Sequence, residues 1–519
     1  MQPVSNAWKT LHTENILPVP ADIEIKYAAT DIDAMNHATV STNSKAAEVT
    51  DADLQSIVRN GVVYQLTQTL ELNKWILDGS ILVSDSYSKG YISGYTSGDN
   101  KSFSTAPKVT ITFDQTRTIA SQGVVVRFSS AYNEYATDFV VKAYLNSSQV
   151  ASATVTGNNK VEAEVAIAIQ NYNKIEITIN KWCLPQSRAR MESISIGATK
   201  TFTKSDIISY KQNMKSSLFS FSLPDYNIEF EFDNTDDEWN PDNPTGVYQS
   251  LAQRQEIDVK YGYEINGSYE YISGGTYFLS EWNTPQNGIT ARFKARDLTI
   301  FMQDKFNGSS YEGQTMSYQA LAQAAFVQSN IPTFSDGTVR WDITDLASAP
   351  VQMPSGLSQY TCAEIVQLCC VACACVMRYG RDGKMYCEQL DTTTQDYQIN
   401  RFNSYQDAEY EMSQALRGVD INNGQFSDAV GTTGEIQYVT NPIMENMDSG
   451  EAIPILQYIE DHLSYRRTLT GQYRADPRLD VFDYITVVNK FATMVVVITT
   501  LNLSYNGMFT ATYEGRVES

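Results

Sequence analysis

The chain has 519 residues, enough for three or four domains at about 150 residues each. With 42% hydrophobic and 19% charged residues it is globular, which excludes a largely disordered chain. Its 38 basic against 60 acidic side chains leave a net charge of −22, which disfavours nucleic-acid or anionic-lipid binding as the main activity. In chain order, Met1 to Trp8 lacks both a basic start and an apolar core, so no secretory signal is read there. Residues 1–50 are polar with one good strand, 22–27. Strand signals at 108–113, 124–128, 139–145, 161–167 and 174–179, evenly spaced and without helices, predict a β-sandwich. At 227–232, Ile228, Phe230 and Phe232 alternate with Glu229 and Glu231. At 289–296, Ile289, Ala291, Phe293 and Ala295 alternate with Thr290, Arg292, Lys294 and Arg296. Both patterns predict half-buried antiparallel strands. Asn-Gly pairs at 266–267, 287–288 and 506–507 predict tight hairpins. Helices are few: one over 317–328, one opened by Thr361 with Glu364 as its capping box, and one over 451–467 with Pro454 near its first turn. The longest apolar run, 365–377, is interrupted by Gln367 and too short to span a bilayer, so a soluble protein is expected.

The chemistry is sparse. The three histidines, His12, His37 and His462, lie far apart without a zinc or nucleophile signature, and no phosphate loop, dinucleotide fingerprint or nucleophile elbow is present. No catalytic residue is expected. Five of the seven cysteines crowd between Cys362 and Cys375, which reads as a reducing compartment rather than a disulfide framework. Cys369, Cys370 and Cys373 are spaced for zinc or redox work. Their neighbours Val371, Ala372, Ala374 and Val376 are apolar and no basic residue is near, so they are expected to be metal-free core. The acidic stretch 233–243 has Glu238 where a calcium loop needs Gly, and is read as a long self-capped turn. Tyr87, Tyr91 and Tyr95 fall in a Gly/Ser-rich segment, 84–98, read as a loop. Rings placed there can stack on sugar faces, contact a neighbouring protein, or cover the sandwich edge.

Several phrases come in a fixed order. They are Leu223-Pro224, Phe230-Glu-Phe-Asp-Asn234, Trp239-Asn-Pro-Asp-Asn-Pro-Thr-Gly246, Gln255-Glu-Ile-Asp-Val259, Gly274-Gly-Thr-Tyr-Phe-Leu279 and Phe293-Lys-Ala-Arg-Asp-Leu298. Later come Asn441-Pro442-Ile443, Arg474-Ala-Asp-Pro-Arg-Leu479, Phe482-Asp-Tyr-Ile-Thr-Val487 and Leu503-Ser-Tyr-Asn-Gly507. Together they resemble the tail hub (tail-associated, baseplate central hub) proteins of phages and prophages of Gram-positive hosts, over 200–519 and more loosely over 1–50. Phe482 stands where that family carries Gly. Residues 70–197, opening on Leu70-Glu-Leu-Asn-Lys-Trp-Ile-Leu-Asp-Gly-Ser80, resemble a galactose-binding-like jelly roll, a module found inserted in such hubs.

The resemblance implies a mainly β fold with two tail-tube-like β-barrel domains, a small α/β region and an inserted β-sandwich. The expected domains are 1–54 (start of the first barrel), 55–198 (insert), 199–300 (remainder of the first barrel), 301–400 (α/β region with the Cys-rich helix) and 401–519 (second barrel). It further implies a structural virion protein of the tail tip or baseplate, assembled in the host cytoplasm. A homotrimeric hub would close the tube and open for DNA, with pseudo-sixfold symmetry. The implied partners are a tail tube or distal tail protein, the tape measure protein, tip or fibre proteins, transiently DNA, and a host cell-wall glycan. No cofactor or metal is implied. The rival readings are a host-surface carbohydrate-binding protein acting through the insert, and a distal tail protein. A tail-tip peptidoglycan hydrolase is a third, for which no lytic domain is present.

Overall fold

A computed structural model describes residues 1–13, 19–30, 37–46, 49, 54, 57, 64–65, 88–117, 121–130, 132–243, 251, 253–284, 288–334 and 338–518. Twelve strands build two barrels. The first contains β1 (Ala21–Thr30), β2 (Ile207–Lys215), β3 (Asp225–Asp233), β4 (Glu256–Ile265), β5 (Ser268–Asn283) and β6 (Thr290–Arg296). The second contains β7 (Thr394–Ile399), β8 (Glu409–Met412), β9 (Arg467–Arg474), β10 (Tyr484–Val488), β11 (Thr493–Tyr505) and β12 (Phe509–Val517). Their spatial orders are β1-β4-β5-β6-β3-β2 and β7-β10-β11-β12-β9-β8, the same permutation of the chain order twice. The copies differ at one pairing: β1 runs antiparallel to β4, whereas β7 runs parallel to β10. β2 then pairs with the second half of β11, Tyr210 opposite Tyr505 and Lys215 opposite Thr500, so one sheet passes through both barrels.

The alternation read in the sequence sets the core. In β3, Ile228, Phe230 and Phe232 are buried, while Glu229 and Glu231 face outward and meet Arg292 of β6 at 3.4 and 3.1 Å. Ala291, Phe293 and Ala295 point inward as the pattern requires. Ile289 does not, being 54% exposed just before the strand begins. Phe202, on a strand adjoining β1, reaches Phe232 at a centroid distance of 4.3 Å although β1, β4, β5 and β6 lie between them in the sheet. The sheet must therefore roll up, and Trp239 and Phe293 fill the enclosed space edge to face. Asn266 and Gly267 both take positive φ (54° and 84°), the geometry of a two-residue hairpin. At Asn506-Gly507 only Gly507 does, because Tyr505 opposes Phe509 and the loop has three residues.

The insert is a two-sheet sandwich with its own core, separate from the cluster running through the rest of the chain. One sheet has the order Ala38–Thr42, Lys108–Arg117, Tyr172–Trp182, Ala136–Leu145, Ser148–Val155. This corrects the expected boundary: Ala38–Thr42 pairs with Lys108–Arg117 and belongs to the insert, not to the first barrel. The other sheet carries Glu162–Ile169 and Ser121–Arg127, and it shares Ser193–Phe202 with the first barrel. Residues 193–196 of that strand pair with Ser121–Arg127, and 197–202 pair with β1.

In the small α/β region, α2 (Tyr318–Gln328) packs on α3 (Cys362–Val371) beside a sheet of Trp341–Asp342, Met385–Glu388 and Val376–Tyr379; a short α1 (Asn6–Thr13) opens the chain. The capping box is complete: Glu364 N–H donates to Thr361 Oγ (3.2 Å) and Thr361 N–H to the Glu364 carboxylate (2.7 Å). β7 belongs to the second barrel, so that domain starts before residue 401. The last helix, α4 (Ser449–Ser464), ends short of 467 because Arg467 opens β9, and it covers the sheet of Phe426–Ala429, Leu416–Ile421 and Glu435–Val439. Among the described residues no helix is long and apolar enough to cross a membrane.

Candidate functional site: a buried joint and two strand edges

The histidines stay apart. His12 stacks on Trp8 at 5.6 Å, His37 sits 2.9 Å from Asp114 in the insert, and His462 lies on α4. Among the described residues no group of three or more His, Cys, Asp or Glu is placed to hold a metal. Cys369 and Cys370 are fully buried, and burial pushes both thiols well above their ordinary range; Cys373 is pushed up to about 11 by the same cause. Thiolates are the reactive and metal-binding form, so these positions are held inert. At pH 8 an alkylating reagent should leave Cys369 and Cys370 unmodified while the urea-unfolded chain is fully labelled. Elemental analysis should find no stoichiometric zinc; about one zinc per chain would sink the packing account.

The acidic turn spends its side chains on its own backbone. Asp233 accepts from Thr235 N–H (3.0 Å), Asn234 accepts from Trp239 N–H (2.9 Å), and Asn240 accepts from Asp242 N–H (3.0 Å). The result is to place the Trp239 ring in the barrel core.

The most elaborate polar constellation is the segment 474–483 between β9 and β10, where four parts of the chain meet. Arg381, on the turn between the last two strands of the α/β region, is buried, and its two terminal nitrogens donate to the carbonyls of Pro477 and Leu479. Its Nε lies 3.6 Å from Asp480, and its own carbonyl accepts from Ser273 Oγ of β5 at 2.7 Å. Four residues before Asp480, Asp476 takes a two-pronged contact from Arg478 (2.7 and 2.5 Å) and the indole N–H of Trp8 from α1 (3.3 Å). Burial opposes ionisation of Asp476, yet His12 and Arg478 hold its carboxyl below the usual carboxylate value. Beside this joint, and fully buried, Tyr210 and Tyr261 share a hydrogen bond of 2.6 Å. Gln212 accepts from Tyr261 (2.7 Å) and donates to the Gly274 carbonyl (2.8 Å). Every buried polar group so satisfied fixes one relative placement of the barrels.

A second buried carboxylate, Asp297, ends β6 and accepts from Tyr226 N–H (3.0 Å) and Thr299 N–H (2.8 Å). Burial dominates and pushes its carboxyl up to about 6. A folded value above the unfolded one of about 3.9 means that the folded state holds the extra proton, so this group's contribution to stability falls as pH rises from about 4 to 6. Asp297→Asn should therefore gain on the wild type by up to about 3 kcal/mol between pH 4 and pH 7. Denaturant titrations at the two pH values with an unchanged gap would refute this.

Of the three tyrosines singled out, Tyr87 lies outside the described residues. The expected loop is corrected by the strand Tyr91–Thr96, which pairs with Arg188–Met191. Tyr91 is fully buried and its hydroxyl donates to the Ser44 carbonyl (2.8 Å). The glycines that suggested a loop serve close approach instead: a Cβ on Gly94 would stand 2.1 Å from Ser44 Oγ. Tyr95 is 36% exposed and is the accessible ring of the two described.

Two strand edges were missed in the sequence. All four residues of β8 are exposed, with Tyr410 at 50% and Met412 at 60%. Beside the end of β5 lies a cavity of about 420 Å³, lined by Gln253, residues 280–283, Arg292 and Lys294. The period-two pattern Glu409-Tyr-Glu-Met412 was the available signal for the first.

No protein-family model matches the chain, and no curated protein matches it. Among solved structures it is similar to the 43 kDa tail protein of prophage MuSo2 from Shewanella oneidensis, at 12% identity and TM-score 0.41, over 61% of this chain and 94% of that one. It is similar also to the prophage tail protein gp18 from Listeria monocytogenes EGD-e, at 10% identity and TM-score 0.40, over 61% and 91%. The family 32 carbohydrate-binding module of NanJ from C. perfringens, solved with galactose, matches at 13% identity and TM-score 0.21, over 34% of this chain and 99% of that one.

Proposed function

We propose that this chain is a structural, non-catalytic component of a phage tail tip or baseplate: a hub that forms a homotrimeric ring, closes the tail tube and opens for DNA. The observation that carries the reading is the duplicated six-strand order, joined edge to edge by β2 and β11. A chain that already holds two equivalent barrels side by side supplies two sixths of a ring, so three copies match a sixfold tube. The ordered phrases from Leu223 to Gly507 support the same reading. Its partners are then a tube or distal tail protein on one face, tip or fibre proteins on the other, and the tape measure within. The net charge of −22 suits a lumen through which DNA slides without sticking. Imaging of the protein in an intact particle is expected to show three copies around the tail axis; six copies would overturn the hub and point to a distal tail protein.

The insert favours a second reading, adsorption to a host-surface glycan, because it has a separate core and presents Tyr95. Excision tests it. Thr30 and Gly197 oppose each other across the first barrel's edge, so Asn-Gly in place of residues 31–196 closes a two-residue hairpin. Cutting at 55 instead would strand Ala38–Thr42 without its partner Lys108–Arg117. The shortened chain should keep the wild-type number of copies per particle and lose adsorption to the host. Adsorption at the wild-type level would remove the second reading.

A further inference from the structure

The repeat makes a statement about the contact between copies, and the inference that follows rests on the ring reading above. Within the chain, β11 is shared. Its first half, Thr493 to Val497, pairs with β10 of its own barrel, and its second half, Thr500 to Tyr505, pairs with β2 of the other. By position in the repeat, β5 is the counterpart of β11 and β8 the counterpart of β2. β5 pairs with β4 only from Ser268 to Phe278. Past the Leu279–Gln255 bond, no described strand lies along residues 280–283 on the side away from β6, and the 420 Å³ cavity beside them reaches from Gln253 to Arg292 and Lys294 of β6. β8 pairs with β9 on one side and ends the sheet on the other. Among the described residues the molecule thus carries one used and one unused version of the same junction, and the two unused halves sit on different barrels.

We propose that β8 of one copy adds as an antiparallel strand to the 280–283 edge of β5 in the next copy, repeating between chains the β2–β11 junction found within each. Main-chain groups that now end at an edge would find partners, which removes two exposed strand edges per chain. The contact joins unlike patches head to tail, so repetition by rotation closes a ring. With antiparallel pairing, residue 409 lies near 283 and residue 412 near 280.

The test uses the full chain. Met412→Cys with Ser280→Cys, and separately Glu409→Cys with Asn283→Cys, should give on oxidation a covalent ladder ending at a closed multimer on a non-reducing denaturing gel. Each single cysteine, and the mismatched pair Met412→Cys with Asn283→Cys, should give none. Met412→Pro, which removes an N–H facing away from β9 because Ser413 and Glu411 are the residues bonded across to it, should lower the assembled mass in light scattering while the circular dichroism spectrum and thermal midpoint stay those of the wild type. An assembly of wild-type mass with no ladder, unaffected by Met412→Pro, would overturn the proposed junction and leave the ring reading standing. A wild-type chain that remains monomeric at every concentration would overturn both.

Discussion

Arg381→Ala is expected to destabilise the protein by about 3–5 kcal/mol, the cost of removing one partner from a buried charged contact. The guanidinium ties the α/β region to the second barrel through the carbonyls of Pro477 and Leu479, and the residue's own carbonyl holds Ser273 of the first. Truncation leaves two carbonyls without their donor, each costing about 1–3 kcal/mol, and Asp480 without its nearby positive charge. Arg381→Lys keeps the charge, but a single ammonium does not reproduce a planar fork that reaches two carbonyls, so it should recover less than half of the loss. In a chain of several domains unfolding proceeds in steps, so the measurement is the urea midpoint of the first transition together with protease sensitivity at 474–483. A midpoint within about 1 kcal/mol of wild type would show that the joint is held by packing alone.

The second large effect is expected at Phe482, which keeps a left-handed backbone, φ 71°, at the position where the resembling family has Gly. The turn is therefore the one a glycine would make, with a bulky residue forced into it. Phe482 is also buried, and its N–H donates to the Ile498 carbonyl at 2.8 Å. Two terms compete: the buried ring is worth about 3–5 kcal/mol, and left-handed backbone costs a non-glycine roughly 1–2 kcal/mol. The packing term is larger, so Phe482→Gly and Phe482→Ala should both destabilise. Glycine lifts the backbone term and alanine does not, so the Gly variant should exceed the Ala variant by about 1 kcal/mol, the reverse of their usual order. Equal stabilities of the two variants in urea would mean that the turn is relaxed.

What the sequence disclosed was local. Alternation in 227–232 marked the inner face of β3 residue by residue, and Thr361 with Glu364 marked the start of α3, because both signals depend on neighbours a few positions away. Long-range partners left no such trace. Arg381 read as part of a turn before Gly383, and its partners lie 96 and 98 residues away. Ala38–Thr42 alternates acceptably for either domain, and only its pairing with Lys108–Arg117 assigns it. Tyr91 reads as a loop residue because its segment is rich in glycine and serine, whereas Gly94 there serves close packing. The duplicated topology is invisible in the residues because order in a sheet can repeat without any repeat in the letters.

The strand Ser193–Phe202 has a mechanical consequence. It begins in one sheet of the insert and ends on β1, with Lys26 of β1 reaching Glu162 and Glu164 of the insert at 3.1 and 3.0 Å. A module hung on two flexible threads would swing, and a tug on it would be absorbed as slack. Here the outgoing thread is itself a ladder rung of both bodies. A pull along it loads the hydrogen bonds to β1 in parallel, as shear, instead of unzipping them one at a time. The insert is therefore a lever rigidly keyed to the barrel wall, and a displacement at its tip arrives at the barrel as torque.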